Sequence, residues 1–104
     1  MGTTFAIKDR EMIAVEAAEG VEQLIIRAGR LCRCGGWVLI KTGKMLPGGS
    51  SVLVPQTIGL LREAGGACLA FEDGSVRIDD KPALLVEADR LGIVVVALHE
   101  VAAV

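Results

Sequence analysis

The chain is poor in aromatic residues. Among its 104 residues there is no Tyr, one Trp and two Phe, too few and too scattered for a platform on which single-stranded bases stack. Basic runs are missing as well: 11 Lys and Arg are interspersed with 13 Asp and Glu, for a net charge of −2. A nucleic-acid binder needs a clustered positive footprint to displace counterions from phosphate, and none is written here. Long apolar runs are also absent. The longest, Ile93 to Leu98, falls far short of the ~20 residues that cross a bilayer. The opening MGTTFAIKDREM lacks the apolar region of a secretory signal peptide, and Ala6 stands where a myristoylation signal has Ser or Thr. Three Cys, an odd number, without a secretion signal argue for a reducing compartment. The expected location is cytoplasmic.

Aliphatic residues are plentiful. The hydrophobic share is 52% and the mean hydropathy is +0.53, so the core must be built from Val, Leu, Ile and Ala. A chain of this length is one domain, spanning residues 1–104. A domain this small buries about 60–65% of its unfolded surface. Part of such an apolar complement therefore stays exposed on a monomer, which predicts a homo-oligomer or a docking partner.

The order of signals from Gly35 to Leu98 specifies architecture. Gly35-Gly36 is a break, and Trp37 to Lys41 reads as a short buried strand. Thr42 to Ser51 is a loop with Pro47, Gly48 and Gly49. Pro55 suits the first turn of a helix, which continues through Ile58, Leu61 and Ala64 and stops at Gly65-Gly66. Gly66 to Phe71 is the next strand, closed by the turn Glu72-Asp73-Gly74-Ser75. Asp79 or Asp80 caps a second helix, with Pro82 near its start and Leu84, Leu85, Ala88 and Leu91 on one face. Gly92 ends it. The β-branched run Ile93 to Leu98 reads as an interior parallel strand covered on both faces. The fold class is α/β: a small, mostly parallel sheet of about four to five strands with crossover helices.

Residues 6 to 34 admit two readings. Met12, Ala17, Val21, Leu24, Ala28 and Leu31 fit helical spacing. Gly20 in the middle costs a helix about 1 kcal/mol relative to Ala, and Glu19-Gly20 equally suits a turn between two strands, Met12 to Ala17 and Val21 to Ile26.

Four segments, AAEGVEQLIIRAGR, GGWVLIKTG, LLREAGGACLAF and PALLVEADRLGIVVVAL, together resemble the N-terminal domain of PucR-type purine catabolism regulators. The resemblance spans nearly the whole chain and is firmest from Gly35 onward. It implies a fold similar to the MurF and HPr-kinase N-terminal domains, and it implies strands rather than helix around Gly20. By function it implies a non-catalytic regulatory or ligand-sensing domain, with a purine-related or anionic small-molecule effector and no direct nucleic-acid contact. Such regulators continue into a helix-turn-helix region, whereas this chain ends at Val104, as a fragment or a free-standing relative would. The alternative is an accessory or swivelling domain associated with an enzyme, similar to DRTGG-type domains, although that signature tetrad is absent.

The best site candidate is the loop Lys41, Thr42, Gly43 and Lys44, continuing to Gly48, Gly49, Ser50 and Ser51. It follows a strand and precedes a helix, so backbone N–H groups, two lysines and two serines can converge on a phosphate or carboxylate. The GxxxxGK[ST] spacing of a P-loop is absent, and a plain solvated connection explains the same residues. Cys32-x-Cys34 offers half a metal site or a redox pair beside Arg30 and Arg33, with Cys68 and His99 as further ligands only on paper. Cys68 reads better as a buried apolar residue, and His99 as a solvated strand end. Glu72, Asp73, Asp79 and Asp80 lack cation-loop spacing and read as turn and cap residues. No metal, no cofactor and no catalytic acid, base and nucleophile set is implied, and a non-enzyme is expected.

Overall fold

The computed structural model describes residues 4–15, 21–42, 51–72 and 76–98. A hairpin opens the chain: β1 (Thr4–Lys8) pairs antiparallel with β2 (Glu11–Val15). The two turn residues, Asp9 and Arg10, both have positive φ, at 53° and 69°. Such a two-residue turn matches the right-handed twist of the strands it joins. Next come α1 (Val21–Leu31), β3 (Trp37–Lys41), β4 (Ser51–Leu53) and α2 (Gln56–Glu63). The chain continues through β5 (Gly66–Glu72), β6 (Val76–Ile78), α3 (Lys81–Leu91) and β7 (Val94–Leu98). The main sheet has five strands in the order β2-β1-β3-β5-β7, and β4 pairs with β6 in a separate parallel ribbon.

The α/β class with a mostly parallel sheet is as expected. Only β1 runs against its neighbours, pairing antiparallel with both β2 and β3, while β3, β5 and β7 are parallel. The connections β2-α1-β3, β3-α2-β5 and β5-α3-β7 all step the same way along the sheet. Right-handed crossovers stepping in one direction place every helix on one face. The side chains agree. Leu24, Ile25 and Ala28 of α1, Ile58 and Leu61 of α2, and Leu84 and Ala88 of α3 share one buried cluster with the strands. The strand contribution has a single parity: Ala6 lies opposite Leu39, and Leu39 opposite Leu69.

Local signals explain most boundaries. Asp80 accepts a hydrogen bond from the Ala83 N–H at 3.4 Å and caps α3. Gly92 leaves α3 at φ 75°, and the Ile93 N–H returns to the Ala88 carbonyl at 2.8 Å, six residues closing back on the first. Pro55 stands at the N-cap of α2, where its missing N–H costs no helical bond, and its carbonyl accepts from the Ile58 N–H at 3.1 Å. Trp37 is fully buried, and its indole N–H donates to the Ala64 carbonyl at 3.2 Å. That bond ties the start of β3 to the end of α2.

Three expectations are corrected. Val21 to Ile26 is the first half of α1, not a strand; burying Leu24, Ile25 and Ala28 on one face satisfies the helical period. The strand expected from Met12 corresponds to β2, which pairs with β1, a strand the sequence reading did not find. Ile93 to Leu98 is not an interior strand: β7 is the sheet's edge, and Val94, Val96, Ala97 and Leu98 are exposed. The short β4 and β6 also escaped the reading. The turn residues Asp73, Gly74 and Ser75 lie outside the described residues.

Candidate functional site

The loop nominated from sequence is only partly described. Lys41 ends β3 and Thr42 follows it, whereas Gly43, Lys44, Gly48, Gly49 and Ser50 lie outside the described residues. Ser51 begins β4. Lys41 is 6% exposed, and its ammonium donates to the Thr4 hydroxyl at 3.1 Å, with Thr4 itself fully buried. This lysine therefore braces β3 against β1 on the helix-covered side of the sheet. The sheet has no point at which successive crossovers reverse direction, so the crevice that such a reversal opens in doubly wound folds is absent from this strand order.

The cysteines are not brought together. Cys32 packs against the core cluster, with its thiol toward the Gly35 carbonyl at 3.7 Å, while Cys34 is exposed. Cys68 sits on the opposite face of the sheet, in register with Val38 and Val94. Burial pushes its thiol above the ordinary cysteine value. Among the described residues no three His, Cys, Asp or Glu side chains lie where they can hold a metal ion. Asp79 and Asp80 are exposed at the start of α3, with Asp80 in its capping role. His99 lies outside the described residues.

A groove that sequence reasoning missed runs between α1 and α2. It has a volume of about 430 Å³ and is lined by Ile26, Gly29, Arg30 and Arg33 on one side and by Leu60, Glu63 and Ala64 on the other. A smaller neighbouring pocket of about 250 Å³ shares Ile26 and Arg30 and adds Gln23 and Arg27. The groove exists because the two helices approach closely at its floor. A Cβ on Gly29 would sit 2.8 Å from the Ala64 carbonyl oxygen, so only glycine lets α1 come so near. Arg30 and Arg33 are exposed at its rim, and among the described residues neither is in an ion pair. Arg27 donates to the Val15 carbonyl and anchors α1 to β2. The arginines at 27 and 30 share a helix face only if Val21–Leu31 is helical. Reading that segment as strand hid them.

Chemically, two guanidinium groups over an apolar floor of Ile26 and Leu60 suit an amphipathic anion. Guanidinium presents several N–H donors in a fixed fork that matches phosphate oxygens. Glu63 supplies the opposing charge that a hydroxyl or a cationic rim of the same ligand would meet.

Comparison with known proteins separates fold from function. A solved structure of Acinetobacter baumannii RibD, form 2, is similar over 92% of this chain with a TM-score of 0.55 and 13% identity. The similarity shows a shared fold; this chain spans 28% of that protein's length. No curated protein matches the chain. No helix among the described residues is long and apolar enough to cross a membrane. The family model of the LpxI C-terminal domain matches residues 1–96. That match overturns the resemblance to PucR-type and DRTGG-type domains, and with it the purine-catabolism, transcription-regulation and effector-sensing reading. The motifs behind that resemblance are turns, caps and apolar strands, which many small α/β domains share. Of the two functions weighed from sequence, the enzyme-associated domain fits the match better. With the match covering nearly the whole chain, the protein belongs to the LpxI C-terminal domain family.

Proposed function

We propose that this chain serves an enzyme of lipid A biosynthesis, of the UDP-diacylglucosamine hydrolase type, as the domain that grips the charged part of the substrate. The family match over residues 1–96 carries the reading. The α1–α2 groove supports it: a UDP-sugar bears a diphosphate, and Arg30 and Arg33 offer the donors that recognise one. The apolar lining from Ile26 and Leu60 suits the neighbouring lipid portion. In this reading the domain contributes binding and orientation, and holding the diphosphate fixed lowers the entropic part of the barrier for whatever group attacks it.

The test is calorimetric titration of the protein with detergent-dispersed UDP-diacylglucosamine, repeated with Arg30→Ala/Arg33→Ala. A charge-assisted hydrogen bond is worth about 1.5–3 kcal/mol, so the double variant should bind at least about tenfold more weakly. Undetectable binding by the unaltered protein, or equal affinity in the variant, would remove the groove from the function.

A further inference from the structure

We propose that the face of the five-stranded sheet that no described helix covers packs against the same face of a second copy, giving a dimer with two sheets inside and helices outside. This inference stands apart from the ligand reading above, because the face lies on the other side of the sheet from the helices.

The face is defined by register. Phe5 and Ile7 of β1 lie opposite Ile40 and Val38 of β3, which lie opposite Ala70 and Cys68 of β5, which in turn lie opposite Val96 and Val94 of β7. On the far side Met12 and Val15 of β2 lie opposite Ile7 and Phe5. Every strand thus turns apolar side chains outward. Among the described residues none of them joins the core cluster. At the two edges the exposure is large: Met12 58%, Val15 42%, Val94 59%, Val96 38% and Leu98 38%. An ordinary sheet with one wet face alternates apolar with polar residues, and this sheet does not.

Three observations favour a second copy as the occupant. Among the described residues the only charged one that the registers place on this face is Glu72, at the end of β5 opposite Leu98. A two-fold contact sets a patch against itself, which a neutral patch tolerates and a charged one does not. The most exposed of these side chains line both edges of the face, Met12 and Val15 on β2 and Val94, Val96 and Leu98 on β7, so covering them takes a partner that spans the whole sheet. The shape also fits, since two twisted sheets pack face to face about 10 Å apart with interdigitating side chains.

Sedimentation equilibrium over a micromolar to millimolar range tests the proposal, with Val38→Lys and Val94→Lys/Val96→Lys as variants. Val38 is at the sheet centre and the other two are at its edge. The unaltered protein should reach twice its 10.9 kDa chain mass, both variants should stay monomeric to at least tenfold higher concentration, and their circular dichroism should be unchanged. A monomer at all concentrations would overturn the proposal, including the case in which another stretch of a longer protein covers the face. A dimer that survives Val38→Lys would also overturn it, since β7 would then be pairing edge to edge. Should Val38→Lys unfold, Cys68 gives a second readout in a Cys32→Ser/Cys34→Ser background. Its alkylation should slow several-fold as protein concentration rises, and a constant rate would contradict the face-to-face contact.

Discussion

Two helical glycines should respond to the same substitution with opposite signs. Replacing Gly by Ala within a helix gains about 0.5–1 kcal/mol of propensity. Gly59, in α2, has no heavy atom within 4 Å of the position its Cβ would take. Gly59→Ala should therefore realise the whole gain. At Gly29, in α1, the new Cβ would lie 2.8 Å from the Ala64 carbonyl oxygen and 3.0 Å from the Ala64 Cβ. Overpacking of this kind costs about 1–3 kcal/mol. The same carbonyl accepts the Trp37 indole bond, so moving it strains a second contact. The net effect of Gly29→Ala is then a loss of up to about 2 kcal/mol, the propensity gain being the smaller effect. Since 1 kcal/mol shifts the melting temperature of a small domain by about 4–8 °C, the two variants should diverge by several degrees or more. Thermal unfolding followed by circular dichroism reads both midpoints. If Gly29→Ala stabilises as much as Gly59→Ala, α1 and α2 are free to separate, and the close-approach account of the groove is wrong.

Trp37→Phe keeps an aromatic ring in the core but leaves the Ala64 carbonyl without its indole donor, and should cost about 1–3 kcal/mol in denaturant unfolding; a change below about 0.5 kcal/mol would show that the bond contributes nothing. Cys34 is exposed, whereas burial raises the Cys68 thiol, so in the monomer iodoacetamide near neutral pH should modify Cys34 well before Cys68, as peptide mapping would reveal. The hydrogen bond from Arg90 holds the Glu87 carboxyl below its ordinary value. The resulting stabilisation is present above the unfolded carboxylate pKa and is lost as pH falls through the depressed folded one. Both groups are on the surface, so the difference between wild type and Glu87→Gln should be small at neutral pH and vanish in acid; a difference that grows in acid would contradict the sign.

What the sequence disclosed, and what it hid, divides along physical lines. The elements α2, β3, β5 and α3 were legible because each is bounded by a residue with one structural use: Pro55, Gly65, Asp80 and Gly92 all do at their helix ends what their chemistry dictates. The segment α1 had the right period, but a family resemblance built from turns and caps outweighed it, and Arg27 and Arg30 vanished from view as neighbours. A β-branched run such as Ile93 to Leu98 reads alike whether both faces are covered by helices or one awaits a partner, because propensity does not report the neighbour. The ribbon of β4 and β6 has three residues a strand, too short for any alternation to register. The loop from Lys41 gave a plausible anion site by composition, yet Lys41 itself is spent on Thr4 in the interior.

The central claim is that this LpxI-family domain holds the diphosphate of its ligand between α1 and α2. Two-dimensional NMR of the ¹⁵N-labelled protein during titration with UDP-diacylglucosamine tests it most directly. The account predicts saturable shifts concentrated at Gly29 to Arg33 and Leu60 to Ala64, abolished in Arg30→Ala/Arg33→Ala. Shifts confined to the end of β3 or to the uncovered sheet face, with the groove silent, would contradict it.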